Sequence, residues 1–352
     1  MIVLDLSEIK EVCRKISDSI NSVVLGYEKE VKLILVSLLS NGHVLLEGVP
    51  GVAKTTLIKS IAKTLGLSEK TVVVDGVPYR GFSRIQFTPD LMPSDITGTL
   101  VYNPQTREFE PRLGPVFSYI VLADEINRAV PRTQSALLQA MQEREVTIGD
   151  KTYPLEIREK GKFFFVLATQ NPVEQEATYP LPEAQLDRFL MRIFMEYPPS
   201  LEVEKNVYRL HMSRVKEPYE DLEPVVEAPW IVKAQETVAT QVTVPEDILE
   251  YITRLIRSTR PQIFEPAADY FELGASPRAG IFLVKAAKAH AALRGSSEVE
   301  EVDVEEVLFS VLNHRLIPSF EKLVEIEVKG ERHLARYKLI KEGLDLIKKT
   351  VR

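Results

Sequence analysis

The sequence predicts an α/β fold whose first part alternates strand and helix and whose second part is mainly helical. Three stretches carry that reading. His43-Val44-Leu45-Leu46 is an apolar run of strand length; it leads into Gly48-Val49-Pro50-Gly51-Val52-Ala53-Lys54-Thr55, and from Thr56 to Lys63 apolar residues recur at helical spacing. Strand, glycine-rich turn, Lys-Thr and helix, in that order, have the layout of a phosphate-binding loop; the plainer alternative is a strand-to-helix turn that happens to carry Gly, Pro and Lys. Tyr119-Ile120-Val121-Leu122-Ala123 is apolar throughout, as a parallel strand covered on both faces is, and it ends in Asp124-Glu125. Tyr197-Pro198-Pro199-Ser200 then breaks the chain, and helical periodicity replaces the alternation. The expected organisation is a core over residues 1–197, a helical unit over 198–315 and a tail over 316–352.

The chemistry of the loop explains its residue types. Gly48 and Gly51 let the backbone curl until several N–H groups face one anion, and the helix N-terminus adds its positive dipole end. Lys54 would neutralise the β/γ-phosphates, and the Thr55 hydroxyl would be a Mg²⁺ ligand. Ala53 departs from the general pattern, which has Gly before the Lys; a methyl group is the smallest intrusion the loop could meet.

Bulk properties bound the function. With 352 residues the chain is too long for one ordinary core, so two domains are expected. A net charge of −7 argues against general binding to nucleic acid or acidic membranes, though not against a local basic groove. Cys13 is the only cysteine, which excludes disulfides and cysteine metal sites and fits a reducing compartment. The five histidines lack ligand spacing and read as packing or surface residues. The first residues, Met-Ile-Val-Leu-Asp-Leu-Ser-Glu, lack a signal-peptide pattern, and no apolar stretch is long enough to span a bilayer. The expected location is the cytoplasm.

Taken in order, residues 5–21 and 28–39 read as amphipathic helices, the second entered through Gly26-Tyr27. Gly26 admits two readings, a helix-entry turn or a place where the backbone lies against an adenine ring. Residues 71–83 read as a short strand and irregular loop, and Arg84 to Thr88 as a sheet strand. Residues 99–110 read as a hairpin, either projecting towards a partner or central pore or lying idle on the surface. Asp124 and Glu125 stand about seventy residues after Lys54, at the strand end where α/β sheets bind ligands. Asp124 would hold Mg²⁺ and Glu125 would polarise the attacking water. Asn127 to Glu143 reads as one long helix, residues 144–162 as a second hairpin around Gly149-Asp150, and Phe163 to Thr169 as a strand ending in Gln170-Asn171-Pro172. Asn171 is either a turn residue before Pro or a hydrogen-bond donor to phosphate or water. Pro182 to Phe189 begins a short helix, and Leu190 to Met195 is the last strand.

Helices are expected at 200–215, 230–237, 246–259, 277–293 and 303–313. Arg278, in the first turn of the fourth, opposes the helix dipole and so calls for an anionic partner, triphosphate or a surface carboxylate. In the tail, Val324 to Lys329 alternates with period two, as an exposed strand does. After Gly330, Leu334, Tyr337, Ile340, Leu344, Ile347 and Val351 make one apolar helix face, expected to pack on the second unit, with a subunit contact as the alternative.

Over about residues 20 to 315 these stretches resemble the MoxR-type AAA+ ATPases. The carrying blocks are Gly42 to Glu47 into the loop, Arg84 to Thr99 (RIQFTPDLMPSDITGT), Leu122 to Glu143 (LADEINRAVPRTQSALLQAMQE), Ala168 to Pro172 (ATQNP), Glu183 to Phe189 (EAQLDRF) and Gly274 to Gly280 (GASPRAG). Ala53 is usual in that family. The resemblance implies a P-loop αβα sandwich with a parallel five-stranded sheet and a helical lid. ATP and Mg²⁺ would lie between core and lid and against the next subunit of a ring, usually a hexamer. Lys54 and Thr55 match Walker A, Asp124 and Glu125 Walker B, Asn171 sensor 1, Arg278 the sensor 2 arginine and Arg188 the arginine finger. The expected nucleotide contacts are therefore Gly48 through Thr56, with Gly26 and Arg278. The hairpins match the helix-2 insert and the pre-sensor hairpin of this branch. Segment 70–83 and the tail after about residue 320 depart from the pattern.

Four functions are open on the sequence. The first is a chaperone-like ATPase acting on a protein partner; the resemblance implies von Willebrand factor A domain proteins, metal-cofactor insertion or complex assembly. Others are a nucleic-acid motor, a chelatase-type motor subunit, and a nucleotide-gated scaffold without turnover. The hairpins carry Arg107 and Arg112 amid Glu108 and Glu110, and Lys151 beside Asp150, a weak basic footprint. Glu125 and Arg188 argue against the scaffold, because binding alone needs neither.

Overall fold

The computed structural model describes residues 4–171, 178–329 and 332–351. Met1 to Val3, Pro172 of the ATQNP block and Gly330 lie outside the described residues. The first helices, α1 (Leu6–Asn21) and α2 (Glu28–Leu39), form where the apolar spacing expects them, and the Asp5 side chain caps α1 by accepting from the Ser7 amide. β1 (Val44–Gly48) hands the chain through the glycine-rich loop to α3 (Lys54–Thr64).

The next stretch corrects the sequence reading. Residues 71–83 are no irregular loop but part of a hairpin, β2 (Thr71–Val74) and β3 (Val77–Gln86), turned at Asp75 (φ 50°) and Gly76 (φ 80°). Two successive positive φ values are what a two-residue hairpin turn needs, and Asp-Gly supplies them. Pro78 and Gly81 speak against a long strand by propensity, but each has a place. Pro78 pairs with Val73 of the edge strand, and a Cβ on Gly81 would lie 2.0 Å from the Leu67 carbonyl oxygen.

α4 (Pro93–Thr97) precedes the first projecting hairpin, β4 (Gly98–Asn103) and β5 (Glu108–Leu113). β6 (Ser118–Asp124) is buried at every position. The long helix expected from Asn127 is split: a 3-10 turn covers Ile126–Arg128, and α5 (Pro131–Glu143) starts afresh. Pro131 has no N–H to donate, so it can open a helix and not continue one. The second hairpin, β7 (Glu145–Ile148) and β8 (Lys151–Pro154), turns at Gly149-Asp150. β9 (Phe165–Gln170), α6 (Glu183–Leu186) and β10 (Met191–Met195) complete this part.

The sheet order is β10-β1-β9-β6-β3-β2. The first five strands are parallel, as expected, and β2 adds an antiparallel sixth at the edge. All five parallel strands therefore deliver their C-terminal ends to one side. Lys162 pins the second hairpin to this sheet from within: fully buried, it donates to the carbonyls of Ser118 (2.8 Å), Leu155 (2.6 Å) and Phe163 (2.8 Å). Three donors meet three acceptors, which is the condition for burying an ammonium at all.

Beyond β10 come α7 (Leu201–Met212), α8 (Ala228–Gln241), α9 (Glu246–Ser258), β11 (Phe271–Leu273), α10 (Pro277–Arg294), α11 (Glu301–Leu312) and β12 (Ile317–Pro318). α10 is central, and its buried Ala279, Ala286, Ala287, Ala289, Ala291 and Ala292 let α1, α2, α8, α9 and α11 approach closely. α10 and α11 are tied by Asp303, whose carboxylate accepts from His290 Nδ1 (2.6 Å) and Arg294 (2.7 and 2.8 Å). Burial pushes the Asp303 pKa up, but these donors outweigh it and leave it at about 2.

The tail corrects a second expectation. Val324 to Lys329 lies in a helix, α12 (Phe320–Lys329), followed by α13 (Arg332–Val351). The period-two alternation spans only six residues, while the ten of the helix include three Glu and two Lys, good helix formers, and Leu323 and Ile326 are half-buried at helical spacing. α12 packs against α13. The α13 face expected from its spacing is buried at Ile340, Leu344 and Ile347, and Tyr337 touches Phe309 of α11 (4.5 Å) and Phe194 of β10 (5.4 Å). It covers the sheet edge as well as the helical part.

Candidate nucleotide site

The phosphate loop leaves the C-terminal end of β1, beside Met195 of β10. Gly51 (φ 82°) and Ala53 (φ 55°) both take left-handed backbone, and α3 begins at Lys54 directly after them. An L-residue there costs about 1–2 kcal/mol. The general pattern has Gly before the Lys for this reason, and Ala tolerates the strain with the least side chain. Lys54 Nζ donates to Gly48 O (2.6 Å) and Gln170 O (3.4 Å), so the lysine lies across the loop mouth between β1 and β9. Thr55 and Thr56 open the first turn of α3, and Val49, Pro50 and Val52 complete the loop backbone.

The acids stand at the end of β6, two strands away. Asp124 is nearly buried, and both its oxygens are engaged: Oδ1 accepts from Thr169 Oγ1 (2.6 Å), Oδ2 from Arg84 Nη2 (2.6 Å) and Nε (3.0 Å). Glu125 takes left-handed backbone (φ 57°), a strained state for a residue with a long side chain. Its Oε2 accepts from Gln86 Nε2 (2.7 Å) and pairs with Arg128 Nε (3.3 Å). Asn171 follows β9 and is buried. The structure thus gathers Lys54, Thr55, Asp124, Glu125 and Asn171 at the C-terminal ends of three adjacent strands, β1, β9 and β6.

These residues fit the groups the sequence implies. A curled loop backed by a helix N-terminus and a lysine suits a triphosphate. Among the described residues no cluster of three His, Cys, Asp or Glu could hold a metal by protein ligands alone. Mg²⁺ does not ask for one, since it binds through one or two oxygen side chains, phosphate and water; Thr55 and Asp124 supply that donor set. Gly26 lies at the same end: its φ is 84°, a Cβ there would come 2.8 Å from Val203 Cγ1, and the Tyr27 hydroxyl donates to Glu196 O (2.9 Å). That contact explains the glycine as a tight turn, set beside the phosphate loop.

The two remaining arginines are elsewhere. Arg278 Nη1 lies 3.6 Å from Asp187 Oδ2, and Asp187 precedes Met191, which pairs with Val44 at the start of β1. The phosphate loop leaves the other end of that strand, about 13 Å away at 3.3 Å per residue. Arg278 is therefore held towards the opposite end of β1 from the phosphate loop of its own chain. Its carboxylate partner is Asp187. Arg188 is on the same side, half-buried, and its guanidinium has no ion pair among the described residues. Sequence reasoning missed Arg84, Gln86 and Thr169, which hold the two acids. Their signal was Arg84 and Gln86 at alternate positions at the end of β3, and Thr169 closing the apolar run of β9.

A parallel sheet carrying such a loop and paired acids at its C-terminal edge defines a P-loop nucleoside triphosphatase. Comparison narrows the class. The profile of the ATPase family associated with various cellular activities (AAA) matches residues 43–191, and that of the AAA lid domain matches residues 265–331. The chain is 40% identical to Chaperone MoxR1 of Mycobacterium tuberculosis, covering 87% of this chain and 76% of that one. It is 45% identical to the uncharacterized protein YeaC of Bacillus subtilis, over 86% of each. A crystal structure of a Cytophaga hutchinsonii protein, provisionally described as an ATPase, superposes with a TM-score of 0.80 at 39% identity and covers 97% of this chain and 95% of that one. The chain belongs to the MoxR family of AAA+ ATPases. Among the described residues, no helix is long and apolar enough to cross a membrane.

Proposed function

We propose that the protein hydrolyses ATP at a site shared between two copies in a ring, a hexamer by its family likeness, and uses the cycle to remodel or mature a protein partner. The observation that carries this reading is the separation within one chain. The phosphate loop and acids stand at one edge of the sheet, Arg188 and Arg278 at the other. Copies stacked head to tail bring the second edge of one to the first edge of the next, and such an interface closes into a ring when its rotation allows. Lys54 and the loop amides from Gly48 to Thr56 then hold the phosphates, with Gly26 beside them. Thr55 and Asp124 hold Mg²⁺, which when bound would offset charge on the transferred phosphoryl group. Glu125 orients and polarises the water, Asn171 hydrogen-bonds it or the γ-phosphate, and Arg188 and Arg278 of the neighbouring copy face the phosphates. The setting would be the cytoplasm.

The test is specific activity against concentration. Hydrolysis per subunit is expected to rise as sedimentation shows the wild type associating, and then to level off. A constant rate per subunit down to concentrations where only monomer sediments would overturn the shared site.

The first hairpin supports a protein client over the alternative of a nucleic-acid motor or a chelatase-type subunit. Its exposed apolar side chains are Leu100, Val101, Tyr102 and Phe109, with the two rings in edge contact at 5.5 Å. Glu110 is occupied by Asn103 and Thr106, and the acids offset Arg107 and Arg112. Exposed apolar side chains along the strands of a charge-balanced hairpin suit peptide better than phosphate. A von Willebrand factor A domain protein is the client class the family likeness implies. No salt-dependent binding is expected when DNA is titrated with the protein; an affinity that falls steeply with salt would favour the motor.

A further inference from the structure

Arg315, three residues past the end of α11, has an almost fully buried side chain, and its guanidinium spends all five N–H donors on the segment that carries Arg188 and on the last turn of α11. Nε donates to Asp187 Oδ1 (2.7 Å) and Nη2 to Asp187 O (3.1 Å) and Phe189 O; Nη1 donates to Leu190 O (3.2 Å) and Val311 O. Of the four carbonyls from Asp187 to Leu190, only that of Arg188 is outside this set. His314 adds a second tie. Burial, with Arg315 and Arg192 nearby, holds its pKa well below the ordinary value, so the neutral ring donates from Nε2 to Phe189 O (3.1 Å). The arrangement is stacked as well as bonded: the Arg315 and Arg278 guanidinium groups lie 4.8 and 5.5 Å from the Phe282 ring centre of α10. Burial lowers the Arg315 pKa to about 10, Asp187 opposing it, which leaves the group charged at neutral pH.

We propose that Arg315 is the positioning residue for the arginine finger: it fixes the turn Asp187–Leu190 to the last turn of α11, so that the lid sets the direction in which Arg188 is offered to the neighbouring copy. The inference rests on the shared-site reading above. A planar fork with five donors fits this task and an ammonium does not, because Lys has three donors on one atom and no face to stack. The consequence is a physical link from the lid of one copy to hydrolysis in the next.

Arg315→Lys is the test, since it keeps the charge in place. Binding of a fluorescent ATP analogue and KM for ATP are expected to stay within about twofold of wild type, because the cis loop is at the far edge of the sheet. kcat is expected to fall about a hundredfold, the scale for a reacting group displaced by an ångström. In the nucleotide-free protein, the Phe189 and Leu190 amides are expected to exchange with deuterium at least about tenfold faster, with β1 and α3 unchanged. Mixing with Glu125→Gln subunits, which carry an intact finger, is expected to raise the rate above the sum of the two proteins alone. Unchanged kcat and exchange would overturn the proposal; so would lost nucleotide binding, or a loss of kcat that mixing fails to restore, either of which makes Arg315 a fold residue only. Arg188→Ala run alongside separates the two ideas: if it hydrolyses ATP at the wild-type rate, the shared-site reading fails first. Should Arg315→Lys not fold, Asp187→Asn keeps the shape and weakens the same ties; the same pattern is expected with a kcat loss of about tenfold, and wild-type kcat and exchange would overturn the proposal.

Discussion

Arg188→Ala should lower steady-state ATP hydrolysis by about 10³ to 10⁵ while leaving nucleotide binding intact. An arginine finger acts on charge that develops in the transition state, and removing it forfeits about 4–7 kcal/mol of barrier lowering. Binding should survive because the groups that meet the phosphates in the ground state, Lys54 and the loop amides, belong to the other edge of the sheet. The half-buried Arg188 side chain has no ion pair among the described residues, so its loss strands no buried partner and the fold should not suffer. The decisive measurement mixes variants. Lys54→Ala subunits cannot hold ATP but still carry Arg188, so adding them to Arg188→Ala subunits should restore hydrolysis at mixed interfaces. Two inactive proteins would then make an active one. If the mixture stays inactive while light scattering shows it assembled, Arg188 serves its own chain or no site at all.

Much of this architecture was legible because it depends on local signals. The loop needed glycine at Gly51 for a positive φ, a helix behind it, and Lys54 in the first turn, all within one short stretch. The buried strand β6 declared itself by a run with no polar residue, and Asp124-Glu125 by following it. The sequence was less informative wherever two periods overlapped or a long-range contact decided. At β2–β3 the sequence reading took Gly76, Pro78 and Gly81 as loop residues; the structure puts Gly76 in a hairpin turn with Asp75, pairs Pro78 with Val73 and sets Gly81 against the Leu67 carbonyl. At α12 the alternation of Val and Glu suggested a strand because its packing against α13 was not visible. Arg278 shows a different limit. The helix-dipole argument correctly demanded an anion, and sequence spacing could not say whether that anion was a triphosphate or Asp187. Arg315 gave no signal except its position, a cation closing an apolar helix beside His314. Its role is defined by carbonyls more than 120 residues away.

Glu125→Gln should bind ATP with near wild-type affinity and lose about 10² to 10⁴ in kcat. Two carboxylates compete for the role of base, and geometry separates them. Asp124 has both oxygens engaged, by Thr169 and Arg84, and its side chain is 11% exposed. A carboxylate held on both sides can share a cation but has little freedom to take a proton from water. The Glu125 side chain is 29% exposed, and Gln86 and Arg128 both meet its Oε2. Its strained φ of 57° costs about 1–3 kcal/mol, a cost retained where it aims a functional group. Glutamine keeps the shape, the reach and a hydrogen bond to Gln86, and removes only the charge and basicity. The loss should therefore fall on kcat and leave KM nearly unchanged, which single-turnover hydrolysis and analogue binding can separate. Because ATP stays bound, the variant should also sediment as the nucleotide-loaded assembly for longer than wild type. Wild-type turnover by Glu125→Gln would move the chemistry away from this acid, and unimpaired turnover by Asp124→Asn as well would remove the paired acids from the mechanism altogether.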